Sequence, residues 1–280
     1  MARIDLTGLP IAITGASSGI GAATAVACAA AGMPVALGAR RGDKLAETAR
    51  RIREAGGKAV CVEMDVTKPE DCQRLIDETL IAFGSIYAVY ANAGYGLEAT
   101  VEDTSDEAMR AIFEVNYFGT LNTIRPALAP MKAAGRGHVL ICSSCIAKLS
   151  VPYYAAYSAT KAAQAHIGRA MNIELEPLGI RTSIVCPIGT RSEFFDKVKT
   201  ETGANRLVVH TPKQFMQSPE LVAAKTVACL RRPRAEVWTS LPTRLSMALC
   251  NAFPGIEHFV LRKMVRERRE AQSRNAPTNY

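Results

Sequence analysis

No stretch of this 280-residue chain is apolar for the roughly 18 residues that crossing a bilayer requires. Its first residues, MARIDLTGLP, lack the apolar core of a secretory signal, and the two absences together point to the cytoplasm. The cysteine spacing of small secreted frameworks is also missing. Cys28, Cys61, Cys72, Cys142, Cys145, Cys186, Cys229 and Cys250 sit mostly within apolar segments and are expected as buried, reduced thiols. Cys142 and Cys145 form a C-x-x-C, but no second pair or nearby histidine completes a zinc site, and no βαβ start precedes it. His138, His166, His210 and His258 have no ligand spacing, so no metal is expected. Fixed-period repeats and low-complexity tracts are absent as well.

What is present suffices for a large core. Hydrophobic residues make up 48% and charged residues 21%, far from the composition of disorder, and the length fits one domain with an appendage. The formal charge of +8 is concentrated at one end: Arg231 to Tyr280 holds ten Arg and Lys against four Asp and Glu. A cofactor phosphate or an acidic membrane surface accounts for that pattern as well as nucleic acid does. The tail has neither aromatics interleaved with its arginines nor a recognisable nucleic-acid motif, and no nucleic-acid partner is expected.

Short Val, Ile and Ala-rich runs alternate with segments of helical period, the pattern of a parallel sheet covered on both faces. Strands are expected at Leu9–Thr14, Met33–Ala39, Lys58–Met64, Ile86–Tyr90, His138–Cys142, Ile180–Cys186 and Ala235–Trp238. Between them lie helices at the alanine-rich segment ending at Gly32, Asp43–Ala55, Pro69–Phe83, Tyr157–Glu176 and Ser218–Arg231. A long helical region from Ser105 to Ala134 is expected to break or kink at Pro126 and Pro130, which lack the N–H a helix interior needs. The fold class is therefore α/β, a doubly wound parallel sheet of about seven strands with a C-terminal helical extension. Residues 1–240 form the sheet domain, with the less periodic stretch at about 188–217 as a lid, and 241–280 form a basic amphipathic extension. In that extension, Leu245, Met247, Leu249 and Phe253 make an apolar patch ahead of a helix at Ile256–Arg269. Ile256, Phe259, Val260 and Met264 share one face of this helix, and Arg262, Arg266 and Arg269 another.

Thr14-Gly15-Ala16-Ser17-Ser18-Gly19-Ile20-Gly21 joins the first strand to the first helix, the setting in which a glycine-rich turn is informative. Glycine lets the backbone approach a pyrophosphate, and the helix start offers unpaired N–H groups and its positive dipole end. The second strand ends Gly38-Ala39-Arg40-Arg41, without the acid that would bond ribose hydroxyls and repel a 2′-phosphate. Two guanidiniums there favour NADP(H) over NAD.

Tyr157 and Lys161 stand one turn apart on a helix face. An ammonium beside a phenol favours the phenolate, bringing a group of pKa about 10 towards acid–base use. Ser144 follows the fifth strand, where its hydroxyl can bond a substrate oxygen.

With these residues assembled, the chain closely resembles the short-chain dehydrogenases/reductases from about Leu6 to Trp238. The matching motifs, in family order, are the Thr14–Gly21 turn, Asp65-Val66, Asn92-Ala93-Gly94, Asn116, Ser143-Ser144, Tyr157 with Lys161, and Pro187 followed by Ser192. The resemblance implies that Tyr157 exchanges a proton with the substrate oxygen while hydride passes to or from nicotinamide. It implies that Lys161 lowers the tyrosine pKa and bonds the nicotinamide ribose, that Ser144 polarises the substrate oxygen, and that Asn116 holds a water linking Lys161 to solvent. Asp65 and Val66 would flank the adenine, Asn92, Ala93 and Gly94 would line the cleft, and Pro187, Ile188 and Ser192 would close over the nicotinamide and phosphates. Two residues depart from the family: Ile188 stands where glycine is usual, and Ser192 where threonine is.

Phe194, Phe195, Leu207, Val208, Val209, Phe215 and Met216 in the lid, with Tyr153 and Tyr154 before the catalytic tyrosine, suggest an apolar pocket and a lipophilic carbonyl or alcohol substrate. The extension lies on an anionic membrane, covers the substrate entrance, or docks on the body or a partner subunit. The family pairs its subunits through two long helices, here about Asn116–Ala134 and Tyr157–Glu176, which implies a homodimer or homotetramer. A catalytically silent NADP-binding sensor or scaffold is the alternative function.

Overall fold

A computed structural model describes residues 3–191 and 216–274, without the side chains of 264 and 267–274. Ser192 and the lid residues Phe194, Phe195, Leu207, Val208, Val209 and Phe215 lie outside the described residues, as do His210 and the side chain of Met264. Seven strands, β1 Ile11–Thr14, β2 Val35–Ala39, β3 Ala59–Glu63, β4 Ala88–Ala91, β5 Gly137–Cys142, β6 Ile180–Cys186 and β7 Glu236–Trp238, form one parallel sheet in the order β3-β2-β1-β4-β5-β6-β7. The helices are α1 Gly19–Ala30, α2 Gly42–Glu54, α3 Pro69–Phe83, α4 Asp106–Phe113, α5 Gly119–Ala133, α6 Ala155–Leu175, α7 Pro219–Arg231, α8 Leu241–Ala252 and α9 Pro254–Arg274. The described residues thus bear out the α/β, doubly wound architecture with a helical C-terminal extension.

Strand side chains alternate between two cores, as a period of two requires. Ile11, Ile13, Val35 and Leu37 face a core shared with Cys28 of α1, Ile52 of α2 and Val222 and Leu230 of α7. Ala12 and Ala36 face the other, with Leu75 and Ile76 of α3 and Ala127 and Met131 of α5. Both faces being covered, the strands read as apolar runs. β1 pairs with both β2 and β4, so connections leave it in opposite directions and open a crevice at the carboxyl ends of these strands, where such sheets bind ligands.

Most element limits differ from the sequence expectation by one or two residues, and three differences are substantive. α5 runs through Pro126 and Pro130; packing of Ile124, Ala127 and Met131 on the sheet holds the helix despite the two missing donors. The irregular turn lies upstream instead, where Glu114–Phe118 forms a widened π-helical turn between α4 and α5. The Leu245–Phe253 patch is itself largely helix, α8, and α9 extends beyond Ile256–Arg269 at both ends.

All eight cysteines are free, five of them buried, but Cys61 is exposed because it lies on β3 at the sheet edge. His138 is fully buried with Nε2 2.7 Å from Ser183 Oγ, and burial pushes its pKa down to about 3, leaving a neutral imidazole. Among the described residues no cluster of His, Cys, Asp and Glu is suited to a metal ion, and no helix is long and apolar enough to cross a membrane.

Candidate active site

The crevice begins at the turn between β1 and α1. Gly15 has φ +67°, a region that side chains rarely enter, and a Cβ on Gly21 would lie 2.3 Å from the Gly15 carbonyl oxygen. Only glycine fits these two places. Asn92 braces the turn from behind, its Nδ2 donating to the Thr14 carbonyl at 3.0 Å while its own N–H bonds Thr14 Oγ1 at 3.2 Å.

Ser18 precedes α1 in extended conformation, yet its hydroxyl does not cap the helix. It accepts from Arg41 Nη2 at 2.8 Å, and Ser17 Oγ accepts from the same nitrogen at 3.2 Å. The first turn of α1 contains no acid, so the helix start keeps unpaired N–H groups and a positive end for an anion. Together the cradle that a Cβ would fill and the guanidinium beside it suit the pyrophosphate and a further phosphate of a dinucleotide.

One cavity of about 790 Å³ extends from here, within the usual range of ligand pockets. Its walls include Gly15, Ser17, Ser18, Gly19, Ile20, Arg40, Arg41, Asp65, Val66, Asn92, Ala93 and Gly94, and further along Ser144, Tyr157, Lys161, Pro187 and Ile188. Gly21 and Asn116 stand behind the wall. Asp65 also shapes its own turn, Oδ1 accepting from the Thr67 N–H and hydroxyl at 3.0 Å each.

The residues expected to react come from two elements. Ser144 follows β5, Tyr157 and Lys161 lie on α6, and Ser143 joins the two by donating to the Lys161 carbonyl at 2.8 Å. Lys161 is buried; its Nζ donates to the Cys142 carbonyl at 2.9 Å and to Gln164 Oε1 at 3.0 Å. Burial pushes its pKa down to about 8.

Tyr157 lines the same cavity. Burial raises its pKa far above the ordinary tyrosine value, against a hydrogen bond with the Ser144 side chain that lowers it. Lys161 Nζ lies 5.6 Å from the ring centroid, and burial is the larger influence on the phenol.

Asn116, expected to hold a water, is also joined to Lys161 by a side chain. Asn116 occupies the π-helical turn, and its amide is committed: Oδ1 accepts from the Tyr95 N–H at 2.9 Å, and Nδ2 donates to the Tyr95 carbonyl at 2.9 Å and to Thr160 Oγ1 at 3.0 Å. Gln164 Nε2 donates to the Asn116 carbonyl and, at 2.7 Å, to Thr120 Oγ1. Because Oε1 of the same amide accepts from Lys161, Gln164 links Lys161 to Asn116 directly. Its place three residues after Lys161 was the available signal.

The far wall is apolar and contains residues that periodicity did not mark: Tyr95, Ala111, Val115, Ile146, Leu149, Val151 and Thr190. Of the two tyrosines expected there, Tyr154 lines the cavity and Tyr153 does not. Tyr154 is fixed by the buried carboxylate of Glu98, to which its hydroxyl donates at 2.8 Å, and its ring stands edge-on to that of Tyr157, centroids 6.5 Å apart. Tyr153 adopts φ +68°, a strained conformation for a residue with a side chain, and its carbonyl accepts from the Ala99 N–H at 2.9 Å. The segment 98–99 thus holds the start of α6, the helix that carries Tyr157 and Lys161.

Comparison with known proteins gives the same reading of the architecture. The family model described as short chain dehydrogenase matches residues 10–203. An uncharacterized oxidoreductase of Listeria innocua is 31% identical over 228 residues, which cover 80% of this chain and 90% of that protein. 11-beta-hydroxysteroid dehydrogenase 1A of Arabidopsis thaliana is 34% identical over 229 residues, 81% of this chain but 65% of the plant protein's length. Among solved structures, a short chain dehydrogenase/reductase from Burkholderia phymatum in complex with NAD superposes with a TM-score of 0.81 over 91% of this chain and 96% of that one; at 24% identity this is a likeness of fold. An alcohol dehydrogenase from the archaeon Thermococcus sibiricus, complexed with 5-hydroxy-NADP, gives 0.71 at 30% identity over 82% of this chain and 95% of that one. With the family model covering most of the sheet domain and the ordered motifs gathered around one crevice, the chain belongs to the short-chain dehydrogenase/reductase family of oxidoreductases.

Proposed function

We propose that this protein is an NADP(H)-dependent oxidoreductase that interconverts a carbonyl and a primary or secondary alcohol on a lipophilic substrate, with Tyr157 as general acid and base. The observation that carries the reading is the placement of Tyr157, Ser144 and Lys161 in one cavity with the glycine turn. A bound nicotinamide dinucleotide supplies or accepts the hydride. Tyr157, protonated in its buried setting, gives its phenolic proton to the substrate oxygen as that oxygen gains charge, and recovers it when an alcohol is oxidised. Ser144, hydrogen-bonded with Tyr157, orients the same oxygen, and Lys161 stabilises the phenolate left behind. Asn116 acts beneath the site, holding the Tyr95 backbone and, through Gln164, Lys161.

The preference for NADP(H) rests on Arg41, tethered across Ser17 and Ser18, on Arg40 beside it in the cavity wall, and on the missing acid at the end of β2. Ser17, Ser18, Gly19, Ile20 and Gly21 would receive the pyrophosphate, Asp65 and Val66 the adenine, and Pro187, Ile188 and Ser192 the nicotinamide side. The apolar far wall supports a lipophilic substrate. Exposed Phe118 and Ile173, one beside α5 and one on α6, support pairing of copies through those helices in a cytoplasmic homo-oligomer.

The test follows NADPH absorbance with aldehydes and ketones of rising chain length, with NADH and Tyr157→Phe as controls. NADPH oxidation that rises with chain length and is lost in the variant supports the proposal. Equal use of NADH overturns the role of Arg40 and Arg41, and tight NADPH binding without turnover of any compound favours a sensor.

A further inference from the structure

We infer that the C-terminal hairpin of α8 and α9 docks this protein on an anionic lipid surface, with its outer apolar stripe in the headgroup region beside the substrate pocket. Thr243, Met247 and Cys250 on α8, and Glu257, Leu261 and Val265 on α9, are the half-buried positions. Their spacing of three or four marks the face that each helix turns to the body. These rows do not account for all the apolar side chains of the two helices. Leu241, Leu245 and Leu249 repeat every four residues on the outer side of α8, and Phe253, Phe259 and Val260 continue the exposed apolar surface; Phe259 is 71% and Leu241 63% exposed. Scattered exposed leucines are ordinary, but this concentration on consecutive helices forms a patch of the kind that marks an interaction surface.

Charge decides between occupants. Arg244, Arg262, Lys263 and Arg266 are exposed on the same two helices. The one acid between Leu241 and Arg266 is Glu257, and it is turned inward, where Oε1 accepts from the Ser150 N–H at 2.9 Å. Between Leu241 and Arg266 the exposed charged side chains of the described surface are therefore all cationic, set among apolar ones and a few neutral polar ones such as Ser246 and Asn251. A second copy placed face to face would set like charges against each other, whereas an acidic bilayer surface satisfies both features.

The place of the patch gives it a use. Ser150 lies between Leu149 and Val151, both in the apolar wall of the cavity, and α8 packs on the Cys145–Lys148 turn, which supplies Cys145 and Ile146 to the same wall. Docking would hold that wall next to the lipid. Delivery of a membrane-dissolved substrate by this route rests on the function proposed above; the docking itself does not.

The experiment is co-sedimentation of the full chain with phosphatidylcholine vesicles and with vesicles containing phosphatidylglycerol, at low and high salt. The wild type is expected to pellet with the anionic vesicles, less so at high salt. Leu245→Glu/Leu249→Glu should weaken partitioning by roughly tenfold or more, and Arg262→Glu/Arg266→Glu by about tenfold. NADPH binding and turnover of a water-soluble aldehyde verify that each variant is folded, and they separate failure of docking from failure of the enzymatic proposal. Docking is overturned if wild type stays in the supernatant of both vesicle types, or if both double variants pellet as it does. Size-exclusion chromatography in which the leucine variant alone breaks an oligomer, without vesicle binding by the wild type, would assign the face to a second copy.

Discussion

The turn between β1 and α1 and the hairpin at the other end of the chain use helix and loop in opposite ways. At the turn, a missing Cβ on Gly21, a brace from Asn92 and a tether from Arg41 leave little room for change. In the hairpin, α8 has no fully buried residue and leaves its leucines outside. The first region is fixed by what its own chain packs against it; the second is shaped for something the chain does not contain. Substitutions that look alike on paper should therefore have very different consequences in the two places.

The largest effect is expected at the reacting end that the turn serves. Tyr157→Phe should lower kcat about 10²- to 10⁴-fold, the range for loss of a general acid, with the NADPH dissociation constant unchanged in a fluorescence titration. Gly21→Val comes next, because its new Cβ meets backbone that cannot rotate away. It should destabilise the fold by about 1–3 kcal/mol, seen as a Tm lower by several degrees, and raise the NADPH dissociation constant.

A graded change is expected under Lys161. Below its pKa of about 8 the ammonium is present, and Gln164 Oε1 favours that charged form by accepting from it. Gln164→Leu removes the acceptor and should move the basic limb of kcat/KM for NADPH down by about one pH unit, since a hydrogen bond to a charged group contributes roughly 1.5–3 kcal/mol. Gln164→Glu supplies a carboxylate and should move the limb up; coincident limbs in all three proteins would contradict the link. The smallest effect belongs to the hairpin. Leu245→Glu/Leu249→Glu should change Tm by no more than an ordinary surface substitution, within about 0.5 kcal/mol per site, and a large loss would mean that these leucines are packed rather than presented.

The same contrast governs what could be read in advance. The strands and the phosphate turn were legible because buried parallel strands are apolar throughout and because glycine spacing between a strand and a helix has a steric cause. Tyr157, Lys161 and Ser144 were legible as an ordered set. The walls at Leu149 and Val151 were not, since loop residues have no period to betray their direction. Gln164 stayed hidden because its role depends on the Asn116 carbonyl, 48 residues earlier, which comes within reach only at the widened turn between α4 and α5. The prolines of α5 misled because local donor loss was weighed without the sheet that holds the helix.

The backbone pairing of Gly189 and Arg191 with Gln217 has an evolutionary meaning. Gln217 N–H donates to the Gly189 carbonyl at 2.8 Å and the Arg191 N–H to the Gln217 carbonyl at 2.9 Å, so two positions 26 residues apart in sequence are held side by side. Each doubling of such a connection adds only about 0.6 kcal/mol of closure entropy. A change in the number of residues between Arg191 and Gln217 is therefore cheap in closure entropy, and descendants of this sequence can vary in length there while the pairing and the sheet stay unaltered.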